Sequence, residues 1–221
     1  MRCLSLVAKA RGTKVTISRA NKANMDAIIV GGAVGILPPD HWTSRGYSGE
    51  YATAMTLLQF QLLEEISSIV ERLKPTREEN STEAKIDCDL FGASNLPEGL
   101  LLPNYSILPL WKHFADALCL LTPTECESIN LSFSSIQLPK SVLDILEPAL
   151  KTSPIEQLIL NNNRLGRDGI TCLARVLEVN ASIRVLSLNK NELIDNGTEM
   201  LSLVEAASNH SGLQILYINN C

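Results

Sequence analysis

Histidine and cysteine are the side chains of this chain best suited to bind a transition metal or to act as nucleophiles. The three histidines, His41, His113 and His210, are far apart, and none has a second ligand at the spacing of a metal site. The six cysteines form no C-x-x-C pair and follow no regular disulfide spacing, so we interpret them as reduced thiols. No set of nucleophile, base and orienting group can be assembled from the spacing. The sequence therefore predicts a protein that is not an enzyme and that holds no metal or cofactor.

A glycine-rich stretch, "IIVGGAVG" at residues 28–35, suggests a dinucleotide-binding turn. That turn needs the pattern G-x-G-x-x-G at the start of a helix. Counted from Gly31, the second and third glycine positions hold Ala33 and Ile36, and two prolines follow at 38–39. Since proline interrupts a helix, the stretch is better interpreted as a turn between apolar segments.

Charge and hydropathy limit the partners and the compartment. The net charge of −5 is unfavourable for general nucleic-acid binding, although residues 1–24 hold six basic and no acidic side chains. The run "AIIVGGAVGIL" is shorter than the ~20 apolar residues that span a bilayer. We expect an intracellular, cytoplasmic protein that binds neither nucleic acid nor membrane, with an organelle transit peptide at the N-terminus as the alternative.

The elements that must position any functional side chain are repeated along the chain. The frames Ile155-x-x-Leu158-x-Leu160-x-x-Asn163-x-Leu165 and Ile183-x-x-Leu186-x-Leu188-x-x-Asn191-x-Leu193 match one another. Further copies begin at Cys126 and Leu213, so the starts at 126, 155, 183 and 213 are 29, 28 and 30 residues apart. A fainter copy is predicted at Ile86-x-Cys88. In each copy two apolar residues alternate along a short strand, and an Asn or Cys at the ninth position turns the chain.

An apolar helical stripe is predicted after each strand. The stripes, from the earliest to the last, are Leu110, Phe114, Ala117 and Leu121; Val142, Ile145, Leu146 and Ala149, with Pro148 expected to end that helix early; Ile170, Leu173, Ala174 and Leu177; and Met200, Leu201, Val204 and Ala207. A strand and a helix this short cannot bury their apolar faces alone, so neighbouring copies must stack.

These motifs resemble the ribonuclease inhibitor-like subclass of leucine-rich repeats, whose relatives include the sensor regions of NOD-like receptors and the Ran GTPase-activating protein. The resemblance covers about residues 84–221. It implies an α/β fold: a right-handed solenoid of strand-plus-helix repeats, with a parallel sheet on its concave face. It also implies a structural ladder of the ninth-position residues Asn163, Asn191 and Cys221.

The resemblance implies that function means binding a protein on the concave face. One line of exposed positions is expected to hold Asn130, Ile159, Ser187 and Tyr217, and the next line Ser128, Gln157, Val185 and Ile215. The predicted contact residues are Gln157, Ile159, Val185, Ser187, Ile215 and Tyr217, of which four are apolar. One alternative is a GTPase-activating regulator of the Ran type using Arg164, and another is the truncated sensor region of a NOD-like receptor.

The residues before the repeats predict a different organisation. Residues 1–48 are expected to be a basic, poorly ordered segment. Residues 49–83 are expected to form an amphipathic helix that caps the first repeat, followed by a polar connector, with a dimerising coiled coil as the alternative. The last repeat is incomplete at Cys221, which suggests a fragment of a longer protein or an edge closed by a partner or by a second copy of the chain.

Overall fold

Strands and helices alternate along the chain in the computed structural model of this protein. The structure describes residues 49–72, 83–91, 108–121, 126–191 and 197–219, together with the isolated positions 40, 43, 44, 46 and 123. The elements are α1 (Gly49–Arg72), β1 (Glu83–Phe91), α2 (Leu108–Cys119), β2 (Cys126–Ser134), α3 (Lys140–Thr152), β3 (Ile155–Ile159), α4 (Gly166–Leu177), β4 (Val185–Ser187), α5 (Gly197–Asn209) and β5 (Ile215–Tyr217).

The described strands form one parallel sheet in the order β1-β2-β3-β4-β5. Parallel neighbours need a crossover connection, and from β2 onward each connection contains a helix, α3, α4 or α5. The helices from α2 to α5 also pack against one another in chain order. The fold is therefore α/β, with a parallel sheet and a row of helices built from successive strand–helix units, as the repeated sequence predicts.

Apolar residues on alternate strand positions build the core. Cys88, Leu131, Leu158 and Leu186 are paired from strand to strand, and each is almost completely buried. The stripe of α2 and the stripe of α4 are buried in full, as predicted. Between α2 and β2, the rings of Trp111, Phe114 and Phe133 meet edge to face with centroids 5.7–6.1 Å apart. Such pairs add about 0.5–1.5 kcal/mol each beyond the burial of their area.

The register predicted for the unit that begins with β2 is wrong by two residues. Leu131, rather than Ile129, pairs with Leu158. The predicted alignment of Ile86 with Ile129 and of Cys88 with Leu131 is confirmed. The equivalent core residues are therefore Leu131, Leu158, Leu186 and Leu216, at spacings of 27, 28 and 30. As a result Asn130 lies beside Gln157 rather than beside Ile159, and Ser128 lies in another row.

Two predictions about the helices are also wrong. Pro148 lies inside α3, which continues to Thr152. Proline lacks an N–H and its ring crowds the preceding turn, yet Pro148 is exposed, and the amide of Ser153 still bonds to the carbonyl of Ala149 at 2.9 Å. In α5 the buried residues are Leu203 and Ala206, whereas Leu201 and Val204 are exposed. On that side of α5 the described residues provide no further unit to cover them.

The helix predicted before the repeats is present as α1. Its amphipathic character is confirmed by five buried apolar residues spaced three or four apart, which are Met55, Leu58, Leu62, Ile66 and Ile69. The part from Gln61 onward belongs to the same compact unit as the sheet. The capping role stays a prediction. The polar connector, most of residues 1–48 and the glycine-rich stretch lie outside the described residues. None of the helices in the described part of the chain is both long and apolar enough to cross a bilayer.

Candidate functional site

The turns after β3 and β4 each hold an asparagine whose side chain bonds to the preceding unit. The side-chain oxygen of Asn191 accepts from the backbone N–H of Asn163 at 2.9 Å, and its amide donates to the carbonyl of Leu160 at 2.8 Å. Asn163 repeats this arrangement one unit earlier, accepting from the N–H of Ile136 at 3.0 Å and donating to the carbonyl of Phe133. Both asparagines are buried. They occupy the positions predicted for the ladder, whereas Cys221 lies outside the described residues.

A second row of asparagines, not predicted from the sequence, lies two residues before the ladder. The side-chain oxygen of Asn161 accepts from the N–H of Asn189 at 2.9 Å, and that of Asn189 accepts from the N–H of Asn219 at 2.8 Å. The signal was present in the sequence, because "NNN", "NKN" and "NNC" recur at the ends of the three strands.

The backbone of these turns is left-handed at equivalent places. Ser135, Asn162 and Lys190 have φ of 59°, 55° and 60°, and Gln137 and Arg164 have φ of 51° and 53°. A residue other than glycine rarely adopts this conformation without compensating contacts. Arg164, the residue named for a GTPase-activating role, therefore shares its conformation with the corresponding residue of the preceding turn. Its conformation follows from the turn itself.

A third row closes the turns from helix to strand and was also missed. The hydroxyl of Ser153 donates to the carbonyl of Leu118 at 2.8 Å, and the amide of Asn180 donates to the carbonyl of Leu150 at 2.6 Å. His210 follows at the next turn. Its Nε2 donates to the carbonyl of Asn180 at 2.6 Å, and its Nδ1 accepts from two backbone N–H groups. His210 thus has a structural role that uses both ring nitrogens.

The face of the sheet opposite the buried row, here called the open face, carries the predicted contact residues. Gln157, Val185 and Ile215 form one row, and Ile159, Ser187 and Tyr217 form the next. The structure therefore brings all six together across β3, β4 and β5. Ile215 and Tyr217 are 40% and 44% exposed, and Gln157, Ile159 and Val185 are partly exposed.

Ser187 differs from the other predicted contact residues because it is only 5% exposed. Its hydroxyl donates to the side-chain oxygen of Asn161 at 2.8 Å and lies 3.2 Å from the amide nitrogen of Asn189. Ser187 supports the asparagine row and offers little area to a partner. Strand alternation alone predicts an outward position, and the neighbouring asparagine side chains cover it.

The part of the open face near β1 is polar and charged. Lys85 and Glu156 form an ion pair of 3.0 Å that bridges β1 and β3, and the Lys85 hydrogen bond lowers the pKa of Glu156 with a contribution from Ser128. Asn130 donates to the carboxylate of Asp87 at 2.6 Å. The open face therefore changes from charged at β1 to apolar at β4 and β5.

On the side of the helices, one carboxylate links two successive units. Glu147 of α3 accepts from Arg175 of α4 through both oxygens, at 2.8 and 2.6 Å, and also pairs with Lys151 at 2.7 Å. The Arg175 hydrogen bonds, followed by that from Lys151, lower the pKa of Glu147 to about 2. The pair therefore holds α3 and α4 together at neutral pH.

The described His, Cys, Asp and Glu side chains are the candidates for metal or thiol chemistry. Among them, no group of three or more His, Cys, Asp or Glu side chains is placed to hold a metal ion. Burial raises the pKa of the Cys172 thiol to about 12, so this residue stays a neutral thiol.

A groove of about 370 Å³ lies between the ends of α4 and α5, lined by Leu177, Glu178, Ser202, Glu205, Ala206, Asn209 and His210. The imidazole in this groove is that of His210, and both of its nitrogens already make hydrogen bonds in the turn before β5. No protein-family model matches the chain, and no curated protein matches it.

Proposed function

We propose that the strand–helix units are leucine-rich repeats of the ribonuclease inhibitor-like subclass, stacked as a solenoid whose concave face is the open face of the sheet. The support is the agreement between the sequence frame and the hydrogen bonds of the ladder. Asn163 and Asn191 make equivalent bonds to the unit before them. A shared turn geometry at a spacing of 28 residues is typical of repeats that stack on one another.

The protein's proposed role is to bind a protein ligand on that face, without enzymatic activity. The single observation that carries this proposal is the apolar patch made by Ile159, Val185, Ile215 and Tyr217. All four residues are at positions that point away from the core. They form a contiguous patch across three strands, and the patch is about 10 Å wide at the usual strand spacing. Contiguous exposed apolar area on a folded protein usually marks a binding surface, and tyrosine is a common centre of binding energy.

The ligand expected from this surface presents an apolar side chain to Ile215 and Tyr217 and polar groups to the neighbouring strands. Burying the side chains of Ile215 and Tyr217 contributes roughly 1–3 kcal/mol each. The charged end at β1, with Asp87 exposed, adds selectivity for a ligand with a basic group at its other end.

Affinity capture with the full chain tests the proposal. Proteins captured from cell extract would be quantified by mass spectrometry for the wild type, for the double variant Ile159→Asp/Tyr217→Asp and for Val179→Asp. Val179 is 60% exposed and lies beyond the end of α4, so its variant is a matched control. We expect a defined ligand to be retained by the control and lost with the double variant, while circular dichroism shows all three to be folded. Equal capture by the three proteins would refute the patch.

The other roles suggested by the resemblance have no specific support in the geometry. The conformation of Arg164 is that of the turn, so we propose no GTPase-activating role. The assignment to the sensor region of a NOD-like receptor and the intracellular location stay predictions.

A further inference from the structure

The imidazole of His210 fixes the turn that leads into β5. The N–H of Gly212 donates to its Nδ1 at 3.0 Å, and the N–H of Leu213 donates to the same atom at 2.8 Å. Because a backbone N–H can only donate, Nδ1 is the acceptor nitrogen, and the ring proton of the neutral side chain is on Nε2. Nε2 donates that proton to the carbonyl of Asn180, 2.6 Å away. The turn is therefore held by the neutral imidazole in one tautomer.

An asparagine makes the equivalent bonds one unit earlier. The side-chain oxygen of Asn180 accepts from the N–H of Ser182, two residues on, at 2.9 Å, and its amide donates to the carbonyl of Ser153 at 2.9 Å. His210 likewise accepts from the residue two positions on, and it donates to Asn180, which takes the place of Ser153 one unit later. The two side chains have the same bonding role, but only the imidazole can take up a proton.

A second proton on His210 removes the acceptor that this turn requires. In the imidazolium both ring nitrogens are donors, so Nδ1 directs an N–H at the N–H groups of Gly212 and Leu213. The bond from Nε2 to the carbonyl of Asn180 persists, and it keeps the ring from turning away. Both amides lose their acceptor and face a third donor, so the turn opens.

The charged groups around His210 do not replace the lost acceptor. Among the described residues, Glu178 at the end of α4 and Glu205 on α5 line the same groove. Both side chains are exposed, so water screens their attraction for the imidazolium. The other charged residues of α5 and of the segment between α4 and β4 interact elsewhere, Glu199 with Arg167 and Arg184 with Glu156.

The amides that His210 holds lead directly into β5. The next two N–H groups along the chain, those of Gln214 and Ile215, both donate to the carbonyl of Arg184, at 2.8 and 3.0 Å. Four successive amides are thus bonded, the first two by the imidazole and the next two by β4 and its preceding residue. Since β5 is only three residues long, opening of the turn loosens the start of the strand.

We propose that His210 is a proton-operated latch: the neutral imidazole holds the start of β5 in place, and uptake of a second proton releases it. The switch operates between about pH 8 and about pH 5, the range in which histidine generally changes its charge. Because Ile215 and Tyr217 lie on β5, release also disturbs the patch proposed to bind a ligand. That consequence rests on the proposed function, whereas the opening of the turn does not.

Hydrogen exchange on the full chain tests the latch without a ligand. Protection factors, which correct for the effect of pH on intrinsic exchange, would be compared at about pH 7.5 and about pH 5.5 for the amides of residues 212–215. In the wild type they should fall by about tenfold or more at the lower pH, because the loss of one or two hydrogen bonds has an effect of this size. The amides of β3 are the internal reference and should not change.

His210→Asn is the matched variant, because Asn180 makes the equivalent bonds without titrating. It keeps His41 and His113, so the comparison isolates His210. Its protection at residues 212–215 should equal that of the wild type at the higher pH and should not fall at the lower one. His210→Ala lacks the acceptor, so these amides should exchange fast at both pH values.

Two results would overturn the latch. One is a wild type whose protection at residues 212–215 does not change with pH, and the other is a His210→Asn variant that loses protection at the lower pH as the wild type does. Neither result depends on a ligand, so a failure of the latch is distinguishable from a failure of the proposed contact patch.

Discussion

Replacement of Asn191 by alanine is the sharpest test of how the units are held together. The side chain is 0% exposed, and its oxygen accepts from the N–H of Asn163 at 2.9 Å and of Leu165 at 3.4 Å. Its amide donates to the carbonyls of Leu160 and Leu188, both at 2.8 Å. The variant thus removes three well-formed bonds and one long bond, all to backbone groups that are shielded from water.

The magnitude follows from the number of groups left without a partner. A hydrogen bond contributes about 1 kcal/mol net, and a buried group that loses its partner costs about 1–3 kcal/mol. For three such groups, part of which water reaches after the change, we expect a loss of about 3–5 kcal/mol. That loss is a large part of the roughly 5–15 kcal/mol by which folded proteins are stable.

Urea unfolding followed by far-ultraviolet circular dichroism measures this loss as a change in the free energy of unfolding. Asn209→Ala is the matched control, since Asn209 is exposed on α5, and its expected effect is within about 0.5 kcal/mol. Hydrogen exchange should also accelerate at the amide of Asn163. A loss below about 1 kcal/mol for Asn191→Ala, or one equal to that of Asn209→Ala, would refute the structural role of the ladder.

Two further perturbations address the helices and one close contact. Glu147→Gln should lower stability at neutral pH by about 1–2 kcal/mol, a figure reduced for the partial exposure of Arg175. Because the pKa of Glu147 is lowered from 4.5 to about 2, its contribution to the free energy of unfolding is complete above pH 4.5 and is lost as the pH falls to about 2. The urea unfolding curves of the wild type and of Glu147→Gln should therefore converge near pH 2. A difference in stability that persists at that pH would contradict the role of the Glu147 carboxylate. Gly212→Ala should cost about 1–3 kcal/mol, because its Cβ would lie 2.5 Å from the carbonyl oxygen of Ala181. Gly197→Ala, with nothing within 4 Å of the added Cβ, should be neutral or slightly stabilising in the same urea assay, and equal effects would count against this packing.

The sequence predicted the strand–helix alternation well where the frame contains its asparagine. It failed by two residues in β2 for a physical reason. Ile129, Leu131 and Phe133 alternate, so a shift of two residues keeps every apolar side chain on the same face. The residue that would have fixed the register is Ile136, which lies where Asn163 and Asn191 lie in the later units. The register of the repeat frame was therefore ambiguous in this unit, because Ile136 stands where the later units have an asparagine.

Strand alternation decides which side chains point away from the core, so the outward position of most candidate contact residues could be predicted from the sequence. What alternation cannot show is cover by neighbouring side chains, which is why Ser187 was assigned to the accessible surface. Leu201 and Val204 were predicted to be buried, but they are exposed, and the reason is the opposite one. Their spacing is that of a buried stripe, but burial depends on a neighbour that the helix itself does not encode.

The bonds of Asn163 and Asn191 run in one direction, from each unit to the one made before it. In this ladder, each asparagine therefore completes the turn before its own, while the backbone N–H of Asn163 is bonded only by the next asparagine, Asn191. Within this ladder the two sides are unequal. Loss of the segment containing Asn191 leaves the backbone N–H of Asn163 without its acceptor, whereas loss of the segment containing Phe133 and Ile136 leaves the side chain of Asn163 without its acceptor and donor. Each of these two asparagines therefore stabilises the unit before its own, and the ladder bonds of any unit are complete only when the following unit is in place.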